Sequence, residues 1–265
     1  MPTPADHTFA VCAYGESPYL EECLVSLRAQ KMPTNIILST STPNALIEEL
    51  CKKYEVPYHV NPGPGGIAGD WNYAVSLTDT PLVTIAHQDD VYLERYSQVM
   101  LETLSKRPEA TLFFSDYAEL RQGERVDKNR LLNVKRMLLT PLRSRALSHS
   151  KFIRRRVLSL GCPICCPSVT LIKTAFTEPL FDIHFGSNLD WQTWEKLAGV
   201  PGGFAYAQEI LMMHRIHAGS ETSHLIESDR RTQEDIEMLR HFWPASIAHL
   251  INKIYVGGQK ENRVG

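Results

Sequence analysis

Pro81-Leu-Val-Thr-Ile-Ala-His-Gln-Asp-Asp90 is the stretch from which the rest of the chain can be read. Its apolar, β-branched part has the pattern of a strand buried on both faces. The run stops at two adjacent carboxylates. Open α/β sheets bind ligands outside the carboxyl ends of their strands, so Asp89 and Asp90 stand where a ligand would. Carboxylate oxygens are hard ligands suited to Mg²⁺ or Mn²⁺. A metal held by one or two of them keeps positions open for a diphosphate. The plainer alternative is that Asp90 caps a helix beginning near Leu93.

Upstream of this stretch, strand and helix patterns alternate. His7 to Tyr14 reads as a first strand. Ser17-Pro18 then opens a helix whose Leu20, Leu24 and Leu27 share one face. Asn35 to Ser39 reads as a second strand, Asn44 to Tyr54 as a helix and Pro57 to Val60 as a short third strand. The breaker-rich Asn61-Pro-Gly-Pro-Gly-Gly66 leads into a helix over Ala68 to Leu77. This βαβ alternation predicts a mostly parallel sheet flanked by helices.

Downstream, Leu93 to Lys106 reads as a helix and Thr111 to Ser115 as a strand. Residues 121–158 read as helical in two pieces broken near Pro141, and Ser168 to Ile172 as a strand. Asn188 to Ala198 reads as a helix, Gly203 to Ile216 as two strands, and Glu227 to Tyr255 as helical with a break at Pro244. The expectation is one catalytic domain carrying a helical C-terminal appendage.

Composition sets the class. The chain has 265 residues, 43% hydrophobic and 22% charged, which suffices for a sizeable globular core. No apolar run approaches the ~18 residues a spanning helix needs. The start, Met-Pro-Thr-Pro-Ala-Asp-His7, lacks a basic region and a long apolar segment, so a secretory signal is not expected and a cytoplasmic location is. Six cysteines in that setting do not predict a disulfide framework. Cys162-x-x-Cys165 lacks a second pair at zinc-site distance and reads as small buried side chains. The net charge of −2 is uneven: Arg121 to Leu158 carries 12 Lys and Arg against Glu124 and Asp127, so this segment is +10 and the remainder −12. Clustered charge of one sign points to an anionic partner. With no nucleic-acid-binding module and −12 elsewhere, nucleic acid is not that partner.

Four segments could carry chemistry. Ala13-Tyr14-Gly15-Glu16-Ser17-Pro18-Tyr19-Leu20 is a strand-end loop feeding a helix, a common nucleotide contact. Gly63 to Asn72 joins a glycine-rich loop to Asp70-Trp71-Asn72, and its spacing fits neither the P-loop nor the dinucleotide fingerprint. Ser187-Asn-Leu-Asp190-Trp191-Gln-Thr-Trp194-Glu195 begins a helix, with Asp190, Trp194 and Leu197 on one face. A carboxylate beside tryptophans is a candidate general base, its pKa raised by apolar neighbours, or else a helix cap. His214-Arg215-Ile216-His217 ends a strand and is followed by the polar run Ala218 to His224; Arg215 suits phosphate and His217 suits a metal.

Taken together, these segments resemble family 2 glycosyltransferases of the GT-A fold, over roughly residues 8 to 225. Phe9 to Gln30 looks like the family's first strand and helix. Gly66-Ile-Ala-Gly-Asp-Trp-Asn72-Tyr-Ala74 looks like its Gly…Arg-Asn segment. His87-Gln88-Asp89-Asp90 occupies the Asp-x-Asp-Asp metal motif, Leu189-Asp190 the Glu-Asp catalytic motif, and Pro167-Ser168-Val-Thr resembles the acceptor-side strand. Three positions depart from the family pattern: Ser39-Thr40 stands where it has Asp-Asp, His87 replaces an Asp and Leu189 a Glu. Trp71 also replaces a common Arg.

The resemblance implies a mixed α/β sheet flanked by helices and an inverting transfer of a sugar from a nucleotide-diphosphate donor to an acceptor hydroxyl. It implies Asp190 as the base, Mg²⁺ or Mn²⁺ on Asp89 and His217, and Arg215 assisting the departing diphosphate. Ala13, Tyr14, Glu16, Ser39, Gly66, Asp70, Asn72, Gln88, Asp89 and Asp90 would line the nucleotide-sugar site with Arg215. Trp191, Pro167 and Ser168 would face the acceptor, a saccharide or lipid-linked saccharide of surface-polysaccharide assembly. Residues 1–225 would form the GT-A domain, divided into a nucleotide-sugar half (1–115) and an acceptor half (116–225), with 226–265 as the appendage. The basic insert 121–158 would lie beside the acceptor site and touch an anionic membrane face. The alternative, suggested by Ser39, His87 and Leu189, is a non-catalytic relative that binds a nucleotide sugar.

Overall fold

The computed structural model describes residues 1–217 and 229–261. Strands β1 (His7–Ala13), β2 (Asn35–Thr40), β3 (Tyr58–Val60) and β4 (Leu82–His87) are parallel, in the order β3-β2-β1-β4. They are joined through helices α1 (Leu20–Arg28), α2 (Ala45–Lys53) and α3 (Ile67–Ser76). β1 and β4 are covered on both faces and are therefore almost wholly apolar. Their side chains still divide by parity: Phe9 and Val11 pack under α1 and α2, while Ala10, Val83 and Ile85 face the opposite core with α3.

The second half is not parallel. β8 (Val169–Ile172) lies antiparallel between β4 and β6 (Ala110–Arg121), with β7 (Glu124–Val126) hairpinned onto β6. β9 (Gly203–Ile216) then runs parallel to β6, and β5 (Val91–Tyr92) pairs antiparallel with the end of β9. The result is a nine-stranded mixed sheet flanked by helices. Gly203 to Ile216 is one long bent strand rather than two. Its pairing with β6 slips around Ser115 and Asp116, and a bulge of this kind bends a strand without ending it.

Three local expectations are corrected. First, the helix after Asp90 begins at Tyr96 (α4, Tyr96–Lys106), because Val91 and Tyr92 are taken up by pairing with Met212 and Met213. Asp90 therefore caps nothing. Second, the basic insert is three helices rather than two: α5 (Arg130–Leu139), α6 (Arg145–His149) and α7 (Lys151–Val157). Pro141 opens a 3₁₀ turn, and the hydroxyls of Ser144 and Ser150 each accept a backbone N–H to start a new helix. Third, α1 starts at Leu20, past Pro18.

Helix α8 (Leu189–Ala198) buries Leu189, Trp191, Trp194 and Leu197 against the α3 side of the sheet. The C-terminal helices α9 (Asp229–Arg240) and α10 (Ala245–Glu261) join the same core through Met238, Leu239 and Ala248. Glu234 stitches α9 to the start of α8: its carboxylate accepts the N–H groups of Gly186, Ser187 and Asn188 at 2.8–3.1 Å and the Ser187 hydroxyl at 2.7 Å. Asn188 Nδ2 donates to Asp235 (2.7 Å). The polar run from Ala218 to His224 and the expected helix start at Glu227 lie outside the described residues.

Candidate active site

The parallel register places Cys12 level with Ser39 on one side and His87 on the other, so β1, β2 and β4 end along one line. The loops that follow form the rim. Gly15 (φ 59°) and Gly66 (φ 104°) take left-handed backbone conformations there, with open space where a Cβ would stand. At both, it is the backbone conformation that calls for glycine. The Gly15 N–H donates to Thr42 Oγ1 (2.7 Å), tying the first loop to the second. Gln88 pins Tyr14: Nε2 donates to the Tyr14 carbonyl and Oε1 accepts its N–H, each at 3.0 Å. Tyr14, Glu16 and Gly66 are exposed on this rim, with Ala13 buried behind it. Asp70 is held at its edge, accepting from Ser41 Oγ (2.9 Å) and Asn61 Nδ2 (2.8 Å).

At the end of β4, His87, Asp89 and Asp90 each bring one ligand atom within 4.8 Å of the others. Asp90 is fully buried. Its Oδ1 accepts from the Arg215 N–H (2.9 Å) and meets His214 Nδ1 at 3.0 Å. Its Oδ2 has no hydrogen-bond partner, and neither has the buried Nε2 of His87. Burial pushes the Asp90 carboxyl up, but His214, His87 and the Arg215 N–H outweigh it and hold Asp90 below the usual carboxylate range. Burial would lower the His214 ring, yet Asp90 and Asp89 raise it above the usual imidazole value. Asp90 and His214 thus each favour the charged form of the other. Asp89 Oδ2 meets His217 Nε2 at 3.0 Å, while Arg215 donates from Nε to the Asp89 carbonyl (2.8 Å) and pairs with Glu22. The Tyr19 ring stacks under the Arg215 guanidinium (4.3 Å) and touches His217 (4.9 Å between centroids). A donor set of two carboxylates and an imidazole, with a buried oxygen and a buried nitrogen left unpaired, fits a divalent cation.

Asp190 lies at the start of α8, partly buried. Its Oδ1 accepts the Trp191 N–H (2.7 Å), and the Cys162 thiol lies 3.8 Å from Oδ2. Burial raises its carboxyl above the ordinary value against the pull of the Trp191 N–H, Lys135, Arg231 and His87. His87 therefore acts on the charge of both Asp90 and Asp190, so the two carboxylates lie within electrostatic reach of one imidazole. The Trp71 ring stacks on that imidazole (5.1 Å).

Several residues expected at the site are turned away from it. Trp191 is buried, its Nε1 donating to the Leu158 carbonyl (2.9 Å), and Pro167 and Ser168 are buried too, their carbonyls accepting from the Tyr92 and Tyr96 hydroxyls. None of the three can offer a surface to an acceptor. Ser39 is also buried, with an unpartnered hydroxyl, and the nearest half-buried positions belong to Ser41 and Thr42 two and three residues on. Both ends of the Asn72 amide are taken by the Phe181 backbone, at 2.8 and 2.9 Å. Conversely, Glu22, Lys135 and Cys162 act on this group of residues and were not expected there. Tyr19 and His214 carried a sequence signal only as members of the Ala13–Leu20 and His214–His217 segments.

Comparison with known proteins agrees with this geometry. The family pattern described as Glycosyl transferase family 2 matches residues 8–181. Residues 1–349 of S. aureus TarS in complex with UDP-GlcNAc superpose with a TM-score of 0.67 at 13% identity, over 93% of this chain and 70% of that one. A longer S. aureus TarS chain gives 0.63 at 11%, over 92% of this chain and 42% of that one. The mannosyltransferase PcManGT from Pyrobaculum calidifontis, in complex with GDP-Man and Mn²⁺, gives 0.65 at 14%, over 97% and 72%. No curated protein matches by sequence. The neighbours share the GT-A-like α/β fold, and with two thirds of its length matched by the family pattern, the chain belongs to glycosyltransferase family 2.

Proposed function

We propose that the protein is an inverting glycosyltransferase that moves a sugar from a nucleoside-diphosphate donor to an acceptor hydroxyl, with Asp190 as general base. The observation that carries this reading is the opposite tuning of two carboxylates around one imidazole, His87. Asp190 is pushed up and can accept a proton; Asp90 is held ionised by His214. Glycosyl transfer with inversion needs one group to take the acceptor's proton on the face away from the leaving group. It needs another to keep the departing diphosphate's charge in place.

The nucleotide lies over the ends of β1, β2 and β4, contacted by the Tyr14–Glu16 loop, Ser41, Thr42 and Asp70. His87, Asp89 and Asp90 hold Mg²⁺ or Mn²⁺, which when bound offsets charge on the diphosphate. Arg215, fixed by Glu22 and the Asp89 carbonyl, braces Asp89 from behind. His217 orients Asp89 through its Oδ2 rather than standing apart as a second ligand. Asp190, beside the Cys162 thiol, takes the proton of the attacking hydroxyl.

The test is titration of UDP, GDP, CDP and TDP into wild type and Asp89→Ala, with and without Mn²⁺. Metal-dependent binding of one nucleotide, lost in the variant, is the expected result and fixes the donor class. Binding of none of them would overturn the reading.

A further inference from the structure

We infer that the joint between α7 and α10 is a membrane-docking face for an anionic lipid surface. α7 and the residues just after it meet the turn at 241–244 that leads into α10 through specific contacts. Arg155 donates to the His241 carbonyl (3.1 Å), and Trp243 Nε1 donates to the Ser159 carbonyl (2.7 Å). The Arg156 guanidinium lies against both the Phe152 ring (5.6 Å) and the Trp243 ring (4.4 Å). Around this joint the structure exposes large apolar side chains that nothing covers: Phe152 at 67%, Leu160 at 44%, Ile247 at 40% and Leu250 at 60%. Ile247 and Leu250 are three apart on α10, so they share its outer face, while Ala248 and Asn252 turn inward. A soluble surface seldom gathers such side chains without a use for them.

Charge identifies what this face meets. There is no Asp or Glu between Asp127 and Glu178, and none between Glu237 and Glu261. Both segments that build the joint are therefore free of acidic residues, while Lys151, Arg156 and Lys253 are exposed on them. The neighbouring Glu195 pairs with Arg155 and leaves those three cations unmatched by it. Exposed aromatic and aliphatic side chains on segments that also expose cations fit the interface of an anionic bilayer: the apolar groups enter the headgroup boundary and the cations stay at the phosphates. No helix among the described residues is long and apolar enough to cross a membrane, so the contact is with one surface.

Flotation with vesicles tests this. Wild type is expected to float with vesicles of about 3:1 phosphatidylcholine to phosphatidylglycerol, and not with phosphatidylcholine alone, and to lose binding when salt is raised from about 50 to about 300 mM. Phe152→Ser combined with Leu250→Ser should lower the bound fraction about fivefold or more, and Arg156→Gln should weaken binding to the anionic vesicles. Val25→Ser, at an equally exposed site on α1, should float as wild type does. Failure to float with anionic vesicles overturns the inference, and so does flotation unchanged in the double variant. A wild-type dimer, seen by sedimentation velocity and lost in the double variant, would also overturn it by assigning the face to a second copy of the chain.

Discussion

Asp90 and Asp190 make an instructive pair. Each carboxylate feels the same histidine, His87, and each lies just past the end or at the start of a regular element. Their environments push them in opposite directions. Asp90 meets an imidazole, a backbone N–H and a second histidine, and stays charged. Asp190 meets one backbone N–H and a thiol, and burial dominates. Position near a shared histidine does not assign a role to a carboxylate; the groups within hydrogen-bond reach do.

The comparison can be broken most directly at its basic end. Asp190→Asn should lower kcat by about 10²–10⁴-fold, the usual share of a positioned proton acceptor. Nucleotide affinity should be nearly unchanged; an equal loss of both would make Asp190 a structural residue. In wild type, kcat/KM should rise with pH through an apparent pKa above the ordinary carboxylate value of about 4, because only the ionised form accepts a proton. A flat profile down to that value would remove the base assignment.

At the other end, His214→Ala strips Asp90 of its imidazole partner. Leaving a buried carboxylate unpaired costs about 3 kcal/mol, which urea unfolding at neutral pH should show, together with weaker Mn²⁺-dependent nucleotide binding. A fully stable variant would mean that Asp90 is solvated or protonated in the fold.

Glu234 sharpens the comparison: the N–H groups of Gly186, Ser187 and Asn188 and the Ser187 hydroxyl keep its carboxyl down at about 2 despite burial. Its folded value lies below its unfolded one, so its stabilisation is present above about pH 4.5 and fades as pH falls towards 2. Glu234→Gln should cost about 1–2 kcal/mol at neutral pH, discounted for screening, and should flatten the acid side of the stability profile. The smallest effect belongs to Lys53→Ala. Its exposed pair with Glu21 (2.7 Å) is screened by solvent, so thermal unfolding of the variant should be nearly indistinguishable from wild type.

How far the sequence could be read depended on the range of the forces involved. The βαβ half was legible because burial on both faces writes itself as short apolar runs, and strands β1, β2 and β4 lie within a residue or so of where those runs place them. The carboxylates at residues 89 and 90 stood out for the same reason, as polar residues ending apolar ones, and Asp190 as a carboxylate set beside tryptophans at a helix start. What failed to show was long-range pairing. Val91-Tyr92 is too short to have a period and is a strand only because Met212 and Met213 lie beside it. Trp191, Pro167 and Ser168 have residue types fit for a binding surface, but their direction is set by packing against parts of the chain far away. The partnership of His214 with Asp90 spans 124 residues, and no local pattern announces it.

The seat of β8 between β4 and β6 has a consequence for how the chain is made. β4 is complete at His87, yet the strand that pairs with its free side ends at Ile172, about 85 residues later. At translation speeds of about 5–20 residues per second, the newborn protein waits roughly 4–17 s with that edge open. Through this interval Leu82-Val-Thr-Ile-Ala86 is a ready template for another nascent chain. The vulnerable moment in this molecule's life comes during synthesis, and the arrival of four residues, Val169 to Ile172, ends it.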